Sequence, residues 1–347
     1  MMDKECDKQI FDGLMSLVKR VCIEKSGEVL DFNKDGARIF KGLVHLGWEI
    51  PEELILKSCC GGLCCKKLDR EDFSRDLRMY WERAFDLFDM FVSVSACFRK
   101  GIINEESCPA VELRSAMVQL HARACLIAGE VLVLMRNGFP DGAYARWRTL
   151  YEISVVMMFL EKHGENSALL YNAWKAVHDE KLKRKYDSCW KDLRWTKPDT
   201  GFVEDAKKKA KDVLTRAGGN SEGDYGWAAS QLKVKKPNFS HLEKDVGLER
   251  FRVSYCVASD NVHANVRGST DGLSKFYCDG VGVSMAGFVE PGEHAVVSLL
   301  MVNNALMSLK KGDAVGIQLC VAVKLHEVVC AALRKAQKMV MDSRTGR

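Results

Sequence analysis

The sequence contains little proline, and it shows neither an apolar N-terminal signal nor a long uninterrupted apolar run. Only 6 of its 347 residues are proline, too few for a loop-rich or disordered chain. The first eight residues are mostly charged and lack the apolar core of a secretory signal. No uninterrupted apolar run approaches the roughly 18–20 residues that span a bilayer. These absences predict a cytoplasmic protein that makes no contact with a membrane.

Several familiar catalytic motifs are also absent. The chain has no G-x-x-x-x-G-K-[ST] phosphate loop, no H-E-x-x-H zinc helix and no G-x-S-x-G nucleophile elbow. This disfavours a P-loop nucleotide triphosphatase, a zinc protease of the usual helical type and an α/β hydrolase.

Cysteine is frequent, with 14 residues, but its distribution does not predict disulfides. Most of these cysteines lie inside apolar helical patterns, where a free thiol behaves as a small hydrophobic group. The exception is the run C-C-G-G-L-C-C at residues 59–65. Four thiols within seven residues could bind a soft metal, yet the run lacks the paired C-x2-C units and long spacer of a zinc site. We interpret it as a glycine-broken apolar turn and predict no metal and no cofactor.

Helical periodicity dominates the chain, and strand-like alternation is scarce. In residues 7–24, for example, Ile10, Leu14 and Leu17 recur at the spacing of an amphipathic helix. The pattern breaks around residues 101–109, which predicts an N-terminal helical region over 1–105 and a main helical domain over 106–347. The predicted fold class is all-α: a multi-helix bundle with a long glycine-rich loop, or a short hairpin, over residues 268–292. Helices are predicted over residues 7–24, 69–99, 111–135, 143–162, 166–190, 241–265, 293–310 and 313–341.

Arginines and acids cluster around a tight turn at residues 139–142. Arg148 and Glu152 are four residues apart, so they are neighbours on a helical face that continues into apolar positions. Because buried charges must be paired, an internal salt bridge is the favoured interpretation of this pair. Arg146 lies closer to the turn, where its guanidinium could hold an anion.

A second constellation follows near residue 252. On a helix, Arg252, Ser259 and His263 share a face at offsets of seven and eleven. They offer a phosphate ligand, a hydroxyl and a titratable base, although a histidine satisfied at a helix end is the commoner explanation. Arg114 and His121, seven residues apart, form a weaker pattern of the same kind.

Residues 181–216 are strongly basic. They carry 12 Lys/Arg and 6 Asp/Glu, a net +6 that exceeds the +5 of the whole chain. Aromatic residues alternate with the cations, and this mixture suits single-stranded nucleic acid. A solvated helix face is the alternative explanation. The candidate contacts are Lys183, Arg184, Lys185, Trp190, Lys207, Lys208 and Lys209.

The segment from Arg136 to Glu152, together with residues 259–264, resembles an uncharacterised family of bacterial helical proteins. The shared elements are an R-N-G-F-x-D-G-A-x-A-R-W-R-x-x-x-E core and a later S-[DE]-x-V-H-A element. The resemblance covers about residues 110–270, and because the family's function is unknown it implies no activity.

The chain also resembles, more loosely, the HEPN superfamily of helical ribonucleases, which is frequent in toxin–antitoxin and phage-defence systems. That resemblance implies an R-x4-6-H motif, cleavage without metal and a site shared by two subunits. The spacing from Arg114 to His121 fits the motif, whereas no arginine precedes His263 by five to seven residues.

Three hypotheses follow, of which the least favoured is a small-ligand or nucleotide-binding enzyme that uses the loop over residues 268–292 as a lid. The first is a metal-independent endoribonuclease, a phage-defence or toxin effector. In it His263 and Arg146 act with Arg252, Arg148 and Glu152, and His121 with Arg114 is the fallback pair. The second is a non-catalytic helical binding or sensor module in which the charged clusters are buried struts. The expected partners are RNA or another nucleic acid, a second copy of the chain in a homodimer, or an unidentified protein.

Overall fold

The computed structural model describes residues 4–29, 34–35, 41, 52–103, 110–199, 201–217, 223–263, 266, 283–310 and 313–345. The described residues form α-helices and two short 3-10 helices, Gly226–Ala228 and Glu249–Phe251, and contain no strand. The predicted all-α fold class is therefore confirmed. The α-helices are α1 (Lys4–Ser26), α2 (Glu52–Ile103), α3 (Val111–Arg136), α4 (Pro140–His163), α5 (Glu165–Ala173), α6 (Lys175–Cys189), α7 (Gly201–Arg216), α8 (Ala229–Leu232), α9 (Phe239–Asp245), α10 (Arg252–Asp260), α11 (Val289–Met307) and α12 (Asp313–Thr345).

The chain divides into two compact units, residues 1–79 and 80–347. The first contains α1 and the beginning of α2, and its buried residues include Leu17, Val21 and Cys59. The second contains the end of α2 and all later helices. Helix α2 continues through Gly101 to Ile103, and residues 104–109, where the rest of the helix break was predicted, lie outside the described residues.

Helix α4 is the central helix of the second unit. It packs against α3 and α11, and α11 packs in turn against α3 and α12. Trp147 and Phe159 of α4 are fully buried. The Trp147 Nε1–H donates to Ser298 Oγ at 3.0 Å, which gives the buried indole the partner it requires. Because α4 contacts several helices, side chains on its different faces have different neighbours.

The turn between α3 and α4 is encoded locally. Gly138 adopts a φ of 84°, a left-handed conformation that glycine takes without a Cβ penalty and that commonly ends a helix. Pro140 occupies the start of α4, where its missing N–H is not needed. This turn fixes the predicted helical hairpin.

The structure corrects three of the predicted elements. Residues 59–65 lie within α2 and not in a turn, and buried Cys59 is tied to α1 through a 3.6 Å contact between its Sγ and the Ile10 carbonyl. The single helix predicted over residues 166–190 is divided at Trp174 into α5 and α6. The helix predicted over 241–265 is interrupted because Gly247 has a φ of 71° and the Leu248 N–H bonds back to the Glu243 carbonyl at 2.9 Å. Most of the predicted glycine-rich loop, residues 268–282, lies outside the described residues.

Two stretches are long and apolar enough to cross a membrane, Val111–Arg136 and Val315–Ser343. The apolar window of the first is 44% buried and that of the second 22%. The first stretch is α3, a core helix of the bundle, and core helices of soluble proteins also meet this criterion. The predicted cytoplasmic location without membrane contact therefore stays a prediction.

Candidate functional site

Arg148, Tyr255 and Glu152 form a closed triangle of polar contacts between α4 and α10. Arg148 Nη2 donates to Tyr255 Oη at 2.7 Å, and Tyr255 Oη donates to Glu152 Oε1 at 2.5 Å. The ion pair predicted between Arg148 and Glu152 is present at 3.2 Å, with side chains 26% and 28% exposed. The triangle therefore lies at the edge of the core, within reach of solvent.

A second ion pair, between Arg252 and Glu243, lies beside the triangle. The Glu243 side chain is 1% exposed, and it also accepts a hydrogen bond from Tyr151 Oη at 2.9 Å. The Arg252 guanidinium lies 5.5 Å from the Phe239 ring centre and 5.3 Å from that of Tyr255. Because the buried carboxylate is matched by a guanidinium and a hydroxyl, this pair joins α9 and α10 to α4 as a structural strut.

The tyrosines of this region remain protonated at neutral pH. Burial, followed by the hydrogen bond to Glu152, raises the pKa of Tyr255 to about 12. Burial also raises the pKa values of Tyr151 and Tyr225. A protonated phenol both donates and accepts hydrogen bonds, as Tyr255 does between a guanidinium and a carboxylate.

Arg146 faces the opposite side of α4, because two residues correspond to a rotation of about 200°. It forms an ion pair with Glu130 of α3 and lines a groove of about 740 Å³. Arg136, which also lines this groove, is paired with Asp86 at 3.0 Å. An anion entering the groove would have to displace these carboxylates.

The predicted pair of Arg146 and His263 is not brought into contact. His263 is exposed in the turn after α10, and its backbone N–H donates to the Ser259 carbonyl at 3.2 Å. It follows Arg252 by eleven residues, about 16 Å along a helix axis. In the part of the chain that the structure describes, no contact joins Arg146 to His263, so the shared pocket expected for them is not observed. Their catalytic roles stay predictions.

The fallback pair also lacks a common open site. His121 is fully buried, and its Nε2 lies 3.0 Å from Asn303 Oδ1. Since Asn303 Nδ2 donates to Ser95 Oγ at 2.8 Å, the amide oxygen accepts and His121 Nε2 carries the proton. Burial lowers the pKa of His121 to about 4, so the ring is neutral at pH 7. Arg114 is partly exposed near the start of the same helix.

Helices α6 and α7 pack against each other and form the basic hairpin, defined here as residues 175–216. Among the predicted nucleic-acid contacts, five cations are exposed, and Lys183 and Trp190 are partly exposed. The Lys183 Nζ lies 4.5 Å from the centre of the Phe202 ring. Arg184 and Lys207 contact Glu180 and Glu204 of their own helices at 3.6 and 2.8 Å. The five exposed cations are Arg184, Lys185, Lys207, Lys208 and Lys209.

The connection between α6 and α7 carries a small aromatic stack. Tyr186 and Trp195 are stacked with ring centres 5.4 Å apart, and Phe202 lies 5.9 Å from Tyr186. Tyr186 Oη donates to the Thr196 carbonyl at 2.6 Å, which fixes the connection. Trp195 is 55% exposed, so Trp195 presents an open aromatic face more fully than the predicted Trp190.

The basic hairpin begins close to the triangle. Lys181 of α6 lies 3.9 Å from Asp224, and the Trp174 Nε1–H donates to the Gly223 carbonyl at 3.2 Å. Tyr225 follows Asp224 in the chain. Its pKa is raised first by burial and second by the negative charge of Glu152, so the two side chains are neighbours. A ligand lying along the hairpin could therefore extend toward the triangle.

Sequence reasoning missed a second groove, of about 470 Å³, which His294 and His326 line together. The His294 Nδ1–H donates to the Glu290 carbonyl at 2.8 Å, which leaves its Nε2 as an acceptor. Glu293 and Arg334, also on the groove, are ion-paired at 2.5 Å. Burial lowers the pKa values of both histidines. No local motif could have revealed this site, because its two histidines lie 32 residues apart on α11 and α12.

The fold and the charged cluster define an all-helical bundle with a polar triangle at its edge and a basic hairpin beside it. Residues 114–277 match the model of a family of unknown function (DUF5677). The match confirms that a family of unknown function covers about the predicted residues 110–270, while the motifs assigned to that family stay a prediction. The match includes the triangle and the basic hairpin and excludes α11 and α12. No curated protein and no solved structure matches the chain. The likeness to HEPN ribonucleases stays a prediction.

Proposed function

We propose that the protein is a nucleic-acid-binding module that holds a single strand on its basic hairpin. One observation carries the proposal: two helices that pack against each other carry exposed cations, and the connection between them carries the exposed aromatic face of Trp195. Cations neutralise phosphates and release counterions. Aromatic rings stack on unpaired bases with little regard to sequence.

The burial pattern of α7 explains why its lysines are available. Ala206, Ala210 and Val213 form its buried face, each 4% exposed. Lys208 is two residues from both alanines, so it points away from that face. Lys207 and Lys209 flank it and are also exposed. Lys207, Lys208 and Lys209 therefore form one exposed group of positive charges on α7.

The aromatic stack favours an unpaired strand over a duplex. In a duplex the base faces are covered by their neighbours, whereas a single strand can place a base on the open side of Trp195. Tyr186 already supports the other side of that ring. The stack thus acts as a rigid platform whose ordering costs little on binding.

The test is a fluorescence-anisotropy titration of the full chain with a labelled single-stranded RNA, a single-stranded DNA and a DNA duplex of equal length. The test variant replaces Lys207, Lys208 and Lys209 by glutamine, which removes charge but preserves helix propensity. We expect single strands to bind more tightly than the duplex. The variant should bind at least about tenfold more weakly, since several phosphate contacts are lost.

The control removes the same charge elsewhere. Lys235, Lys335 and Lys338 are exposed and lie outside the hairpin, so their triple glutamine variant should retain most of the affinity. Equal weakening in the two triple variants would show that binding follows net charge alone, and the hairpin would then not be the site. Trp195→Ala should weaken binding to single strands and leave duplex binding unchanged.

The groove between α11 and α12 favours a second candidate function, metal-independent RNA cleavage. His294 Nε2 is an acceptor and could take the proton of an attacking 2′-hydroxyl. A protonated His326 would give a proton to the departing 5′-oxygen, which yields a 2′,3′-cyclic phosphate and a 5′-hydroxyl. Arg334 would exchange Glu293 for the phosphate as charge builds there.

Cleavage is tested with RNA in EDTA, using the wild type, His294→Ala, His326→Ala and His263→Ala. The groove mechanism predicts loss of activity in the first two variants and retention in the third. Because the pKa values of both histidines are lowered and one must be protonated, activity should peak below neutral pH. Loss of activity only in His263→Ala would place the catalytic site near the end of α10 and would contradict the groove mechanism. If the wild type cleaves no RNA, the cleavage function is excluded and only the nucleic-acid-binding function remains.

A further inference from the structure

In the cysteine-rich segment of α2, in the first unit, the thiols face different directions. Cys59 is buried, with its Sγ facing the Ile10 carbonyl of α1. Cys60 and Cys64 are exposed, free and four residues apart on one helical face. Their sulfurs lie 4.0 Å from each other. A bonded pair would be about 2.05 Å apart, so this is an open dithiol facing solvent.

The separation of the two sulfurs suits one atom held between them. In a tetrahedral site with metal–sulfur bonds of about 2.3 Å, two thiolate sulfurs lie about 3.8 Å apart. A small side-chain rotation closes the remaining difference. Soft metal and metalloid centres prefer thiolate sulfur to the oxygen ligands that dominate a protein surface.

The surroundings of the pair leave it accessible. Lys57 and Lys67 are exposed three residues to either side of the pair, on the same stripe of the helix. Their positive charge offsets the negative charge of two thiolates.

We propose that Cys60 and Cys64 form a bidentate dithiol site for a soft, thiophilic metal or metalloid ion. Within the described residues, no group of three or more His, Cys, Asp or Glu side chains is placed to hold a metal ion. Among the described residues the site offers two sulfur ligands, which suits centres satisfied by two sulfurs. The basic hairpin lies in the other unit, so the two proposals rest on different residues.

Phenylarsine oxide is the first probe, because its trivalent arsenic bridges two thiols. Two As–S bonds form, and the arsenic-bound oxygen leaves as water with both thiol protons; the arsenic stays trivalent, so no oxidant is consumed. The full chain, kept reduced with a phosphine, should gain one phenylarsenic group by intact-mass measurement. Excess monothiol should not remove it, whereas a small dithiol such as 2,3-dimercaptopropanol should.

Single-thiol variants test the location. Cys60→Ser and Cys64→Ser should each weaken binding by about 10²–10⁴-fold, the usual loss when two linked contacts become one. Cys97→Ser removes an exposed thiol of the same helix and should change nothing. Persistence of the monothiol-resistant adduct in both test variants, or its absence from the wild type, would overturn the proposal.

A cadmium titration identifies the kind of centre. If Cd²⁺ also binds, it should produce an ultraviolet thiolate-to-metal charge-transfer band in the wild type and not in Cys60→Ser. A band in the wild type assigns the site to soft ions in general. An arsenical adduct without this band would mean that the site binds metalloids and does not bind soft metal ions. Both probes leave nucleic-acid affinity unchanged, so failure here and failure of the hairpin proposal are separate results.

Discussion

At the residue scale, Tyr255 couples α4 to α10, because its hydroxyl accepts from Arg148 and donates to Glu152. Tyr255 as a whole is 8% exposed. Arg148 Nε is buried and has no hydrogen-bond partner among the described residues, so Arg148 depends on Tyr255 and Glu152 for its pairing. The triangle thus works as a unit in which each group is satisfied only while the other two are in place.

Tyr255→Phe removes both hydrogen bonds and leaves the charged pair less well satisfied. We expect the free energy of unfolding to fall by about 1–3 kcal/mol, measured by urea denaturation. Tyr186→Phe is the matched control, because it removes one partly exposed hydroxyl bonded to a backbone carbonyl. A loss for Tyr255→Phe no larger than that of the control would contradict the role given to the triangle.

His121 makes a prediction about pH. Its pKa is lowered from 6.5 to about 4 in the folded state, chiefly by burial, so the unfolded chain binds a proton more readily. Stability is therefore present above pH 6.5 and is lost as the pH falls toward 4, by about 3 kcal/mol for a shift of this size. The lowered pKa values of His294 and His326 act in the same direction.

Urea denaturation at several pH values isolates the contribution of His121. His121→Gln lacks the titrating ring, so its stability should depend less steeply on pH between 4 and 6.5 than that of the wild type. Parallel pH profiles for the two proteins would mean that His121 does not titrate as its burial implies.

At the element scale, the approach of α11 to its neighbours depends on Gly292. A Cβ at this position would lie 2.7 Å from Leu333 Cδ1 of α12 and 3.0 Å from Met135 Cε of α3. Both of those side chains are buried, so the core must shift to accept a methyl group. The groove that contains His294 is built on the same two helices, α11 and α12.

Gly292→Ala should therefore lower the free energy of unfolding by about 1–3 kcal/mol, the usual cost of overpacking. Thermal and urea unfolding measure this effect. Gly129→Ala is the control, because a Cβ there meets nothing within 4 Å and alanine is the better helix former. Stabilisation by both substitutions would contradict the close packing inferred at Gly292.

Sequence patterns predicted the long helices because their apolar spacing is regular and their ends carry local signals. Gly138 and Pro140 marked the connection between α3 and α4, but the turn lies at residues 137–139, and residues 140–142, which were predicted to belong to it, begin α4. The break at Gly247 was missed because apolar spacing continues across it, and the left-handed backbone there is not visible in a periodicity count. The cysteine run was misread because its double glycine suggested a turn, while the helix on both sides continues through it.

At the scale of the whole molecule, the sequence indicated which helix carries each charge, but it did not indicate which helices pack against each other. The contact between Arg148 and Glu152 was predictable because it lies within one helix. The partners of Arg146 and Arg252, Glu130 and Glu243, come from other helices and were not. The groove of His294 and His326 was invisible for the same reason: it depends on the tertiary packing of α11 and α12.

The basic hairpin is the feature on which the proposed function rests, and the salt dependence of binding tests it most directly. For a labelled single-stranded RNA, the logarithm of the association constant should fall linearly with the logarithm of the salt concentration, with a slope of about −0.7 per phosphate neutralised. The Lys207, Lys208 and Lys209 glutamine variant should show a slope shallower by about 2, while the Lys235, Lys335 and Lys338 variant keeps the wild-type slope. Identical slopes for the wild type and the hairpin variant would contradict the account, because phosphates would then be held somewhere else.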